Sequence, residues 1–160
     1  MKNRYSVVAA ILVLLVSSAS AKADIGYSAT LDGLQEVPAN ASPASGSALI
    51  TLNNAMTLLS YSVSYSGLLG SRTAAHFHGP ALPGVNAGVV FGIAGAGPTS
   101  ATIVGAWAID ATNLSRLNAG TLYLNVHSTV YPGGEIRGQV HPDATPNKNT
   151  TWGRIKQLYR

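Results

Sequence analysis

The sequence contains no cysteine, and this absence limits the chemistry that the chain can carry. Disulfide bonds and thiolate ligands are excluded, so any metal ion must be held by nitrogen or oxygen atoms or by a methionine sulfur. A closed structural zinc site built on thiolates is therefore not expected. Charged residues are also sparse, at 10% of the 160 residues, and only four histidines are present.

Long apolar runs are missing except for residues 7–16. This run follows Lys2 and Arg4, and small residues such as Ala19-Ser20-Ala21 come after it. The pattern predicts a cleaved secretory signal peptide over residues 1–23, with an uncleaved anchor as the alternative. The run is short for a membrane span and no later segment approaches one, so we expect a secreted or periplasmic protein without a stable membrane span.

An excess of positive charge is also missing from the body of the chain. Residues 24–143 carry three basic and six acidic residues, although the formal net charge of the whole sequence is +4. No basic stripe is available to neutralise phosphates, which argues against a nucleic-acid partner. Residues 144–160 are rich in Asn, Thr, Lys and Pro, and this composition predicts a flexible basic tail after a single domain over residues 24–143.

What the sequence does contain is a repeated β pattern. Runs of Val, Ile, Leu, Thr and Tyr are separated by clusters of Gly, Pro, Asn and Ser. In residues 57–66, large apolar residues alternate with serines, as one buried and one polar face of an antiparallel sheet require. A single helix is predicted over residues 112–118, with Thr112 or Asn113 as its N-cap. The predicted strands are residues 25–31, 47–52, 57–66, 72–78, 88–93, 102–109, 121–127 and 135–141. We therefore expect an all-β fold, an antiparallel Greek-key β-sandwich or barrel with one short helix.

Three of the four histidines fall on two predicted strands. His76 and His78 are two residues apart on one strand, so their side chains share a face. His127 ends another strand and shares its face with Asn125. Three imidazoles from two strands would give a three-nitrogen site with an open position, which suits copper or catalytic zinc, and raw affinity favours Cu²⁺. The alternative is that the histidines are ordinary polar residues of a solvated face.

The last predicted strand supplies further polar candidates. Glu135, Arg137 and Gln139 share a face with His141, which is a candidate fourth ligand or an exposed terminal histidine. A structural ion pair between Glu135 and Arg137 is one interpretation of the two charges. In the other, Arg137 attracts a small anion towards the metal. Asn125 or Gln139 would then orient a ligand histidine through its second nitrogen.

Four blocks of sequence occur in order along the chain: LDGLQEVP at 31–38, AHFHG at 75–79, LYLNVH at 122–127 and PGGEIRGQ at 132–139. Together they resemble the chordin-domain (CHRD) family over nearly all of residues 25–140, as a secreted single-domain member of the bacterial type. The resemblance implies an immunoglobulin-sized β-fold. The histidine pattern is also similar to the copper site of Cu,Zn superoxide dismutases, but this chain lacks the cysteines and a clear second, zinc-binding cluster of those enzymes.

The leading functional hypothesis is a secreted or periplasmic protein that binds a metal ion, copper before zinc, for copper handling or a small redox role. The expected ligands are His76, His78, His127 and His141. A second hypothesis is an extracellular binding or structural module without a metal, with an unknown protein partner. The third is a copper-only enzyme similar to superoxide dismutase. No hydrolase motif or phosphate-binding loop is found in the sequence.

Overall fold

The computed structural model describes residues 24–143, so the predicted signal peptide (1–23) and basic tail (144–160) lie outside the described residues. The described part forms nine β-strands, a 3-10 turn at Gly33–Gln35 and one α-helix. The elements are β1 (Ile25–Asp32), β2 (Ser45–Leu52), β3 (Leu58–Ser66), β4 (Arg72–His78), β5 (Val89–Ala94), β6 (Ala101–Ala108), α1 (Ala111–Asn118), β7 (Tyr123–Ser128), β8 (Ile136–Gln139) and β9 (His141–Pro142).

All the strands belong to one antiparallel sheet in the order β5-β4-β7-β8-β1-β2-β3-β6, and β9 pairs with β1. Strands β1, β2 and β3 form a meander, and the turn at residues 53–56 joins the last two. The connections from β3 to β4 and from β6 to β7 join strands that are not neighbours, which is typical of Greek-key topology. The prediction of an all-β antiparallel fold with one short helix is confirmed.

The sheet curves into a nearly closed barrel whose two edge strands are β5 and β6. Phe91 of β5 stacks on Trp107 of β6, with ring centroids 4.8 Å apart and an interplanar angle of 11°. Phe77 of β4 also contacts the Trp107 ring, at 5.5 Å between centroids. Aromatic packing therefore fills the gap between the edge strands, where no continuous ladder of hydrogen bonds is available.

The alternation in β3 places its apolar side chains inside the barrel. Leu59 and Val63 are fully buried and Tyr61 and Tyr65 nearly so, while the serines between them are half-buried or exposed. The same alternation of inward and outward side chains in β4 buries Phe77 inside the barrel. Side chains at the intervening positions therefore point to the outer face of the barrel.

Two local predictions are corrected by the structure. Helix α1 is capped by Asp110 rather than by Thr112 or Asn113, because the Asp110 side chain accepts a hydrogen bond of 2.8 Å from the Asn113 backbone. The predicted strand 135–141 is divided into β8, which pairs with β7, and β9, which pairs only with β1. The division falls at Val140, whose backbone N–H donates to Leu122 outside the β7 ladder.

The outer face of β4, β7 and β8 is covered by two chain segments, residues 33–44 and residues 79–88. The side chain of Asn86 donates to the carbonyl oxygen of Val37 at 2.8 Å and so links the two segments. Beneath them Tyr123 and Asn125 are each only 3% exposed, although they lie on the polar face of β7. The polar face that the sequence predicted is thus a buried layer under two loops.

No helix in the described part of the chain is long and apolar enough to cross a membrane.

Candidate metal centre

The structure brings His76, His78 and His127 together on this covered face. Each offers one ring nitrogen, and these three nitrogens all lie within 4.8 Å of one another. His76 lies opposite Asn125 in the pairing of β4 with β7, and the same unbroken register places His127 opposite Ala74. The predicted convergence of three imidazoles from two strands is therefore confirmed in geometry.

The orientation of the His127 ring is set by the turn between β7 and β8. Its Nδ1–H donates to the carbonyl oxygen of Pro132 at 2.9 Å, because a carbonyl oxygen can only accept. The proton therefore resides on Nδ1, and Nε2 carries the free lone pair. That Nε2 atom lies 3.1 Å from the Nδ1 atom of His76.

His78 is oriented by the segment 79–88. Its Nδ1–H donates to the carbonyl oxygen of Ala87 at 3.0 Å, and its ring stacks on Tyr123 with centroids 4.9 Å apart and planes within 9°. The remaining Nε2 atom is buried and has no hydrogen-bond partner among the described residues. A buried acceptor without a partner is costly, and a ligand that accepts its lone pair removes that cost.

The electrostatics of the cluster favour the neutral imidazoles that metal binding requires. Burial lowers the pKa of His76 below its usual 6.5, and the neighbouring His127 and His78 lower it further. Burial also lowers the pKa of His78, despite the opposing hydrogen bond to Ala87. Both groups are therefore deprotonated at neutral pH, with a ring lone pair available to a cation.

His141, the predicted fourth ligand, is not part of this group. It lies on the short strand β9, opposite Ser28 of β1, and its side chain is exposed. The pairing of β9 with β1 instead of β7 carries His141 away from the strand that holds His127.

Asn125 and Gln139, which the sequence predicts to orient a histidine, make no hydrogen bond to the clustered histidines among the described residues. The backbone carbonyls of Pro132 and Ala87 fill that role. The Asn125 amide instead donates to Glu36 at 2.7 Å, and the Gln139 amide donates to backbone carbonyl oxygens at 2.9 and 2.8 Å. Both side chains fix the covering segments to the sheet.

The predicted ion pair between Glu135 and Arg137 is not formed within the described part of the chain. The Glu135 carboxylate accepts from the Ser42 hydroxyl at 2.6 Å and from the Leu69 backbone at 2.7 Å. Arg137 donates to the segment 79–88, and its Cζ atom lies 3.6 Å from the centroid of the Tyr123 ring. Glu135 precedes β8, so the strand alternation on which the prediction rested does not extend to it.

Glu36 is a part of the site that the sequence reasoning missed. It is 7% exposed and accepts the hydrogen bond from Asn125, which neighbours His76 across the strands. Burial raises its pKa to about 7, against the lowering effect of the Arg137 charge. An acidic residue directly before the apolar Val37-Pro38 of the LDGLQEVP block was the available signal, since a carboxylate buried beside apolar residues needs polar partners.

The comparisons with known proteins give one match. The CHRD domain family model matches residues 27–140, a range that includes all three clustered histidines and both covering segments. The chain has no match among curated proteins or solved structures.

Proposed function

The chain belongs to the CHRD domain family, and we propose that it binds a copper ion through Nδ1 of His76, Nε2 of His78 and Nε2 of His127. The observation that carries the proposal is that one ring nitrogen from each of the three histidines lies within 4.8 Å of the other two. Two of the three rings are already held by backbone carbonyls in the tautomer that such binding needs. A site prepared in this way does not have to order its ligands when the ion arrives.

The donor set supports copper over other ions. Three imidazoles without carboxylates disfavour magnesium and calcium, and the lack of cysteine removes the ligands of most structural zinc sites. Among first-row divalent ions at a nitrogen site, Cu²⁺ binds with the highest affinity, and zinc, which also takes imidazole ligands, is the alternative. His76 and His127 are only half-buried, so a bound ion would keep an open position towards solvent.

The proposed setting is a secreted or periplasmic protein that handles copper or supports a small redox reaction. Bound copper would supply one-electron chemistry, and the chain's own residues would hold the ion and exclude bulk water from one side. The burial of His78 under the segment 79–88 provides that exclusion.

The test is isothermal titration of tag-free protein, comprising residues 24–160, with Cu²⁺. The wild type and His141→Ala should bind one ion with the same affinity, while His76→Ala should bind at least tenfold more weakly. His141→Ala is the matched control because it removes an exposed histidine outside the cluster. Binding that survives His76→Ala unchanged would remove the proposal. The same copper-loaded protein, assayed for superoxide dismutation, decides whether the site is also that of an enzyme.

A binding module without a metal is the second candidate function. Three large apolar side chains on the covering segments, Leu34, Leu82 and Val85, are 77%, 62% and 54% exposed. Exposed apolar groups near one another favour contact with a partner. Elemental analysis of protein from its native compartment separates the candidates, since the module predicts a metal-free protein.

A further inference from the structure

We infer that Arg137 is a positioning residue that fixes the ring of His78 through the segment 79–88; the inference rests on the proposed copper site. Arg137 is 1% exposed, has no carboxylate partner among the described residues, and donates its hydrogen bonds to this segment. The Arg137 charge acts on the nearby Glu36 carboxyl, but no ion pair joins the two among the described residues. A buried guanidinium without an ion-pair partner is costly, so its retention calls for a specific contact that a neutral side chain cannot make.

The contacts of Arg137 converge on the piece of backbone next to Ala87. One terminal nitrogen donates to the Val85 carbonyl at 2.8 Å and lies 3.5 Å from the Leu82 carbonyl, and the other donates to the Asn86 side chain at 3.2 Å. The planar fork of arginine can satisfy several acceptors at once, which a lysine cannot reproduce. The segment from Leu82 to Asn86 is thereby held at fixed positions against β8.

Ala87 follows directly and is the contact that orients His78. Its carbonyl accepts from Nδ1 of His78 at 3.0 Å and from the Tyr123 hydroxyl at 3.2 Å. Its backbone N–H lies 3.1 Å from the same hydroxyl. If Ala87 were displaced, its carbonyl would no longer hold the ring proton of His78 on Nδ1. The proton could then move to Nε2, and Nε2 would lose its free lone pair.

A second path leads from Arg137 to the same ring. The guanidinium lies over one ring, Tyr123, and the Tyr123 ring stacks in turn on His78. The His78 ring is thus held on one face by the Tyr123 ring, which lies against Arg137, and at its Nδ1 edge by the Ala87 carbonyl. Arg137 contributes to both restraints without touching the site that would hold the ion, which makes it a positioning residue rather than a ligand.

The chain offers a matched control in Arg72. This arginine is also buried, at 8% exposed, donates to the Gly95 and Ala96 carbonyls, and lies over an aromatic ring, that of Tyr65. Among the described residues, no side-chain hydrogen bond joins the loop that it holds to the clustered histidines. Arg137→Lys and Arg72→Lys both keep the positive charge and remove the planar guanidinium. The comparison therefore separates the loss of the contacts with the segment 79–88 from the general effect of replacing a buried arginine.

Two readouts test the inference. In metal-free protein, long-range ¹H–¹⁵N spectra of the imidazoles should show His78 as a pure Nδ1–H tautomer in the wild type and in Arg72→Lys. The spectra should show an averaged tautomer in Arg137→Lys. Titration with Cu²⁺ should give about tenfold weaker binding for Arg137→Lys and an unchanged dissociation constant for Arg72→Lys, as expected for loss of a group that orients a ligand.

The outcomes separate this inference from the proposed function. If the wild type binds copper and Arg137→Lys keeps either the His78 tautomer or the affinity, the inference is overturned and the copper site stands. If the wild type binds no copper, both are overturned. Should Arg137→Lys not fold, Arg137→Gln decides, because it removes the guanidinium contacts with the segment without leaving a charge buried. An averaged His78 tautomer with weaker binding supports the inference, and no change in either overturns it.

Discussion

Nδ1 of His76 lies 3.1 Å from Nε2 of His127. Two nitrogens that each bind one ion at about 2.0–2.1 Å are about 2.9 Å apart at a right angle and about 3.3 Å apart at the tetrahedral angle. The observed separation falls between these values. Because Nδ1 of His127 donates to Pro132, the contact between the two rings is a hydrogen bond from His76 to His127. A metal ion would displace one proton here and leave the two rings nearly in place.

The affinity for copper should therefore depend on pH in a defined range. Burial lowers the pKa of His76 and of His78 below 6.5, so neither ring carries a second proton at neutral pH. We expect the Cu²⁺ dissociation constant to change little between pH 7.5 and 6.5. It should then rise as the pH falls through the lowered pKa values, because protons compete for the ring lone pairs.

Competition titrations of Cu²⁺ between pH 5 and 7.5 measure this profile. His141→Ala should give the same curve as the wild type, since His141 lies outside the cluster. A tenfold loss of affinity already between pH 7.5 and 6.5 would contradict the expected depression of the two pKa values.

The fold could be predicted from sequence because its signals are local. The alternation of Leu59, Tyr61, Val63 and Tyr65 with serines fixes which face of β3 is buried, and every predicted strand has a counterpart in the structure. The break between β8 and β9 was missed because strand partners depend on distant residues. The residues on either side of Val140 have the same alternation whether they pair with β7 or with β1.

The candidate site also has a part that local sequence signals predict and a part that depends on distant residues. His76 and His78 share a face by strand parity, and His127 could be added from its own strand. The carbonyl groups of Ala87 and Pro132 could not be predicted, because every residue carries a carbonyl and only the loop path selects one. Glu36 was missed for a related reason, since its contact with Asn125 spans 89 positions of sequence.

The buried Glu36 carboxyl should make folding stability depend on pH. Burial raises its pKa from 4.5 to about 7, so the folded protein binds a proton that the unfolded chain releases. Its contribution is fully present below about pH 4.5 and is lost as the pH rises through 7, on the order of 3 kcal/mol in total. Glu36→Gln removes this dependence while keeping an acceptor for Asn125.

Urea unfolding of wild type and Glu36→Gln at pH 4.5 and pH 8 measures the effect. The stability of the variant relative to the wild type should increase by about 2–3 kcal/mol from the lower pH to the higher. Every other titratable group is the same in both proteins, so its contribution cancels in the difference. A difference that is the same at both pH values would show that the carboxyl keeps its ordinary pKa.

Gly134 lies so close to Glu36 and Asn125 that a side chain at this position would collide with them. Its φ is +135°, and a Cβ there would lie 2.6 and 2.8 Å from the Glu36 carboxylate oxygens and would overlap the Asn125 amide. Both the strained backbone and the overlap oppose any larger residue, and neither neighbour can move freely because each is buried. Gly134→Ala should therefore lower the free energy of unfolding by about 1–3 kcal/mol. It should also weaken Cu²⁺ binding, since Asn125 lies beside His76.

Gly133 supplies the matched control in the same turn. A Cβ at Gly133 would meet no atom within 4 Å. Gly133→Ala should leave the free energy of unfolding unchanged or raise it by up to about 1 kcal/mol, because alanine restricts the unfolded chain more than glycine does. Urea unfolding and Cu²⁺ titration of the two variants side by side measure both quantities. Equal losses in the two variants would mean that the turn as a whole, and not the close approach of Gly134 to Glu36 and Asn125, sets the stability of this side of the site.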